Sequence, residues 1–147
     1  MVQSTVDAAT ALRNSGQAAE ALKLLDKVPE SERTAVYFYN RGRVLEDLGE
    51  YEEAIQAYEQ ALTMNQQLRA ARFRLGYLWD LRGEEDRAIA CYEACARAWP
   101  KDVGALLNLG TLYEEKGYLV PEYYERAIEC YEKILNLDPT HARARLA

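Results

Sequence analysis

The sequence predicts an all-α protein built from stacked helix pairs, and three observations carry that prediction. Apolar residues recur at helical spacing along nearly the whole chain. Landmark residues return every 34 positions, as in Gly42, Gly76 and Gly110, or Gly49, Gly83 and Gly117, or Tyr58 and Tyr92. No stretch reads as a strand. Self-similarity at such a period marks repeated supersecondary units, each too small to bury its own apolar stripe, so neighbours must stack and share one core.

The elements follow in order. In the least regular unit, 2–34, a helix over about Gln3 to Asn14 ends at Ser15-Gly16. A second helix from Ala18 to Val28 places Ala21, Leu22, Leu25 and Val28 on one face, and Pro29 forbids its continuation. Unit 35–68 carries Tyr37, Phe38, Gly42, Leu45 and Leu48 on its first helix and Tyr51, Ala54, Ile55, Tyr58, Ala61 and Leu62 on its second, with Gly49-Glu50 at the turn. Unit 69–102 repeats this with Leu75, Gly76, Leu78 and Trp79, then Arg82-Gly83, then Ala88, Ile89, Tyr92 and Cys95. In unit 103–141 the second helix is late, because Ala127, Ile128 and Tyr131 follow their counterparts by 39 positions. Five extra residues therefore lie between Gly117 and Ala127. Pro121 suits the first position of a helix and Glu122 its first turn, so the insertion reads as a longer loop with an extended second helix. It carries Tyr118, Leu119, Val120, Tyr123 and Tyr124 beyond the ordinary edge, as a candidate interface. Segment 142–147 begins a further helix too short to cover its neighbours. Ile128, Tyr131, Ile134 and Leu135 are accordingly expected to leave apolar surface bare, which points to a fragment of a longer protein or to a covering second copy.

Small residues mark where backbones meet. Gly42, Gly76 and Gly110 sit where the helices of a pair approach, with Ala54, Ala88 and Ala127 on the facing helices, and enlarging one should overpack the joint. Leu75, Gly76 and Trp79 in LGYLW, their counterparts in LGTLY, the A-I-x-x-Y of AIQAY, AIACY and AIECY, and the prolines of Trp99-Pro100 and Asp138-Pro139 together resemble the tetratricopeptide repeats. The resemblance covers nearly the whole chain, departing from the pattern at Ala9 and Leu25. It implies a right-handed α-α superhelix, a tetratricopeptide-repeat solenoid of about four helix pairs plus a truncated C-terminal helix, whose first helices line a concave groove.

Composition narrows the partners. A net charge of -6 and a pI near 4.9 disfavour nucleic acid and anionic membrane, both of which attract positive surfaces. Met1 to Thr10 has no secretion or lipidation pattern, no segment is apolar enough to span a bilayer, and three cysteines within helices fit free thiols, so a cytoplasmic location is the default.

By phase, the groove receives Tyr39, Asn40 and Arg43, then Phe73, Arg74, Tyr77 and Asp80, then Leu107, Asn108, Thr111 and Glu114. Aromatic rings beside arginine and asparagine suit a peptide ligand, and Tyr39, Arg43, Phe73, Arg74, Tyr77 and Asn108 are the leading contacts. Some members of the resembled family grip an acidic C-terminal tail through lysine and asparagine on successive first helices. Asn40, Asn108 and Arg74 match part of that clamp, but no lysine and asparagine pair precedes them in register. Cys91 and Cys95, one turn apart, could form half a zinc site, yet the sequence offers no second ligand pair in phase, and packing explains them and Cys130. His141 lies in a turn without a catalytic partner. Most carboxylates begin second helices, where they complement the helix dipole. No cofactor, metal or catalytic set emerges. The sequence thus reads as a non-enzymatic scaffold for a protein or peptide partner. The alternative is self-association, or docking of a downstream effector domain, with a link to transcription implied by a resemblance of the last two units to bacterial repeat segments that precede a domain like the RNA polymerase alpha C-terminal domain.

Overall fold

The computed structural model describes residues 2–146, so Met1 and Ala147, the last residue of the expected capping segment, lie outside the described residues. The helices are α1 (Val2–Asn14), α2 (Ala18–Asp26), α3 (Ala35–Asp47), α4 (Tyr51–Met64), α5 (Arg69–Leu81), α6 (Glu85–Ala98), α7 (Val103–Gly117), α8 (Glu122–Leu137) and α9 (Ala142–Leu146). No strand occurs among the described residues. Local chemistry sets several boundaries. The Thr34 hydroxyl accepts from the Tyr37 amide at 3.1 Å and the Asp102 carboxylate from the Ala105 amide at 3.2 Å, satisfying donors that a helix start leaves open. Gly49 and Gly83 take φ of +77° and +75°, a left-handed conformation that ends α3 and α5 and that glycine adopts without steric cost.

The chain forms two compact units, Met1–Leu75 and Gly76–Ala147, with the division falling inside α5. In the first, α1 packs on α2 and α3, and α3 on α4. Val6, Ala9, Ala21, Leu25, Val28, Tyr37 and Val44 form one buried cluster, in which the Tyr37 hydroxyl donates to the Leu25 carbonyl at 2.9 Å. Val28 remains buried although α2 stops at Asp26, and the segment after Pro29 forms a short 3-10 turn, Glu30–Glu32. In the second unit α7 packs on α6 and α8, and α8 on α9.

The close approach expected at the repeated glycines is present, and its partner is the conserved-phase tyrosine of the second helix. A Cβ at Gly42 would lie 2.6 Å from the Tyr58 ring, and one at Gly76 or Gly110 would lie 3.1 Å from Tyr92 or Tyr131. Ala54, Ala88 and Ala127 are likewise buried.

Two expectations need correction. Gly117 shares its phase with Gly49 and Gly83, yet it is a buried residue within α7 and has no positive φ. The Tyr124 ring lies where its Cβ would be, at 2.7 Å, so the insertion lengthens α7 and turns a stop glycine into a contact glycine. The turn comes at Tyr118 to Pro121, with Pro121 capping α8 rather than opening it. Second, Tyr131 and Ile134 are buried: the Tyr131 ring packs at Gly110 of α7, and α9 adds a further contact with α8, where Ala144 is buried. Only Ile128, at 51% exposure, and the half-buried Leu135 retain open apolar surface among the four named residues.

Candidate functional site

In the Met1–Leu75 unit the first helices are joined by polar side chains. Thr10 on α1 donates to Asn40 Oδ1 on α3 at 3.3 Å, while Asn40 Nδ2 donates to the Val36 carbonyl at 2.8 Å. Arg13 pairs with Asp47 at 2.7 Å. Asn40 is therefore occupied in holding α1 to α3.

Arg74 is occupied more firmly. Its Nε donates to Glu46 Oε1 at 3.0 Å and its Nη2 donates to Oε2, a bidentate pair joining α3 to the first turns of α5. The Tyr58 hydroxyl, from α4, also donates to Glu46 Oε1. The Glu46 side chain is only 8% exposed, against 29% for Arg74. The Glu46 hydrogen bonds push the Arg74 pKa above its ordinary value, and burial followed by Glu46 pushes that of Tyr58 up. Glu46 escaped the sequence reading, although it stands 34 positions before Asp80 and 68 before Glu114, both assigned to the groove phase.

Tyr39 and Arg43 differ from their neighbours. Arg43 Nη1 donates to the Tyr39 hydroxyl at 2.9 Å and the guanidinium lies 5.9 Å from that ring's centre. No carboxylate pairs with Arg43 among the described residues. The Tyr39 ring leans on Tyr58 at 5.9 Å, so the pair is set in place by the buried core beneath it. Phe73 lies half-buried beside Arg69, whose guanidinium is 6.0 Å from the ring centre.

In the Gly76–Ala147 unit Tyr77 is 40% exposed and Asn108 and Thr111 are half-buried. The Thr111 hydroxyl donates back to the Leu107 carbonyl at 2.9 Å, within its own helix. Tyr131 donates to Glu114 at 3.4 Å, reproducing the Tyr58–Glu46 contact. Burial, then Asp80, Glu85 and Glu114, raise the pKa of the neighbouring Glu115 carboxyl.

The insertion is anchored from one side and open on the other. Tyr123 lies under Lys116 Nζ at 4.7 Å and the Arg126 guanidinium at 4.9 Å, with its ring 5.7 Å from Tyr113. Tyr113 in turn donates to Glu93 on α6. Tyr124 meets Tyr118 edge-on at 5.9 Å. Tyr118 and Leu119 are 77% and 88% exposed, and Val120 is also exposed.

The cysteines lie in the packing columns assigned to them: Cys91 and Cys130 line the glycine contacts at Gly76 and Gly110, and Cys95 is fully buried. Burial pushes the Cys130 thiol up to about 11. Since the thiolate is the nucleophile, alkylation at pH 8 should leave Cys130 unlabelled in the folded protein and label it after denaturation. Peptide mapping of the alkylated chain checks this, and equal labelling in both states contradicts the packing. No group of three or more His, Cys, Asp or Glu that could hold a metal ion occurs among the described residues. His141 Nδ1 accepts from the Ala144 amide at 3.2 Å, a helix-capping role. No helix among the described residues is long and apolar enough to cross a membrane.

Comparison with known proteins agrees with this geometry. Tetratricopeptide-repeat profiles match residues 2–67, 39–103, 82–119 and 122–141. The photosystem I assembly protein Ycf3 of Prochlorococcus marinus strain MIT 9215 is 26% identical over 133 residues, covering 82% of this chain and 77% of the relative. Among solved structures, MamA superposes with a TM-score of 0.84 at 25% identity, covering 97% of this chain and 81% of that one. A tetratricopeptide-repeat protein from Parabacteroides merdae gives 0.87 at 22% identity, covering 99% and 56%, and speaks for the fold alone. The fold is the tetratricopeptide-repeat solenoid.

Proposed function

The chain belongs to the tetratricopeptide-repeat family, and from that premise we propose that it is a non-catalytic interaction scaffold which holds a partner's peptide segment against its first-helix, groove-lining face. The similarity to Ycf3, named as an assembly protein, supports a role in bringing other proteins together. The observation that carries the site is the state of Arg43. It is positioned on Tyr39, which rests on buried Tyr58, and it carries no carboxylate partner among the described residues. A guanidinium already oriented and not neutralised is suited to receive a ligand carboxylate, while the Tyr39 ring supplies apolar contact at low entropic cost. Phe73, Tyr77, Asn108 and Thr111 extend the contact surface within their own units. Arg74 and Asn40 serve chiefly to position α3, because each is already hydrogen-bonded within the fold.

That division alters the choice of test. Substituting Arg74 would disturb the Glu46 arrangement along with any binding, whereas Tyr39→Ala combined with Arg43→Ala removes the half-buried pair that meets no carboxylate among the described residues. In a quantitative pull-down, the double variant should recover partner proteins at least about tenfold less well than wild type, with thermal melting showing that both are folded. Equal recovery contradicts this assignment.

A further inference from the structure

The projection between α7 and α8 shares no residue with that face and is not required by it. Its base is held by the stacking of Tyr123 between Lys116 and Arg126, by Tyr124 against Gly117, and by a surface ion pair of Lys116 with Asp86 at 2.5 Å. Its outer side presents Tyr118, Leu119 and Val120, with exposed Tyr124 and Ile128 beside them. A projection packed at its base loses less conformational entropy on binding than an unsupported loop.

We propose that this projection is a second docking surface, which takes an apolar segment of a partner protein flanked by lysine or arginine. Charge selects that occupant. Glu122 and Glu125 in the first turn of α8 are exposed at the base of the projection, and no ion pair occupies either among the described residues. The nearby cations are engaged elsewhere, Lys116 with Asp86 and Arg126 over the Tyr113 and Tyr123 rings. Arg126 keeps its charge over those rings and offsets one of the two glutamates, so the apolar tip is rimmed by net negative charge. A second copy meeting it symmetrically would bring the same two carboxylates together, and like charges across an interface oppose association. An anionic lipid surface is repelled for the same reason. An apolar segment with basic flanks satisfies both the tip and its rim.

The test uses the full chain, labelled with 15N, and three synthetic helical peptides. One has a leucine stripe flanked by lysines, one the same stripe flanked by glutamates, and one keeps the lysines with serine replacing leucine. The lysine-flanked leucine peptide should shift the backbone amides of residues 118–125 saturably. Its affinity should fall at least about tenfold with Leu119→Ser, or with Glu122→Gln plus Glu125→Gln, and should weaken as salt is raised. Tyr39→Ala plus Arg43→Ala should leave it unchanged, which separates this surface from the groove. The proposal is overturned if this peptide gives no saturable shifts at millimolar concentration, if the glutamate-flanked or serine peptide binds equally, or if the shifts fall only on the first-helix face. Self-association abolished by Leu119→Ser, or equal binding to phosphatidylglycerol vesicles, overturns it as well.

Discussion

Tyr58→Ala is expected to lower the unfolding free energy by about 3–5 kcal/mol, read from the shift in a urea denaturation midpoint. Tyr58 is fully buried, its ring fills the space that Gly42 leaves open, and Tyr39 leans on it. Alanine would open a cavity at the joint between α3 and α4. It would also remove the hydroxyl that donates to Glu46. The companion Tyr58→Phe keeps the ring and removes only that hydrogen bond, so its effect should be about 0.5–1.5 kcal/mol. Similar effects from the two variants would mean that ring packing against Gly42 is not what holds the pair.

Glu46→Ala is the second large effect, about 1–3 kcal/mol, because it leaves a buried hydroxyl without its acceptor and a half-buried guanidinium without its carboxylate. Arg74→Ala should cost less. The arginine is the more exposed partner, and Glu46 would keep the Tyr58 hydroxyl. Denaturation of both single variants checks this order. An Arg74 variant as unstable as the Glu46 variant would show that the guanidinium, rather than the tyrosine, is the principal partner of the carboxylate.

The helix pairs were legible because the sequence repeats the residues that make them. Gly42, Gly76 and Gly110 recur at a fixed interval since each faces an aromatic ring, and period alone locates such contacts. The same period does not carry over to Gly117, because identical phase does not fix identical backbone conformation once an inserted tyrosine can occupy the space beside it. Tyr131 and Ile134 were expected to be uncovered because helix length was weighed without position. The Tyr131 ring is covered by α7 at Gly110, as its counterparts are in the earlier pairs, and the short α9 also packs on α8. At the candidate site, phase found Tyr39, Arg43 and Arg74 on first-helix faces but could not show which were already hydrogen-bonded. That depends on Glu46, whose significance lies in meeting Tyr58 from another helix and Arg74 from a third. The missed signal was the acidic column of Glu46, Asp80 and Glu114, of which only the last two were placed in the groove phase, and whose first member is where a tyrosine and an arginine converge.

The central claim is that Arg74 holds the fold while Arg43 is left for a ligand. A double-mutant cycle of Glu46→Ala and Arg74→Ala on unfolding free energy tests it most directly. The structure predicts a coupling of about 0.5 kcal/mol or more between the two positions, and effects that add to within about 0.3 kcal/mol would contradict it.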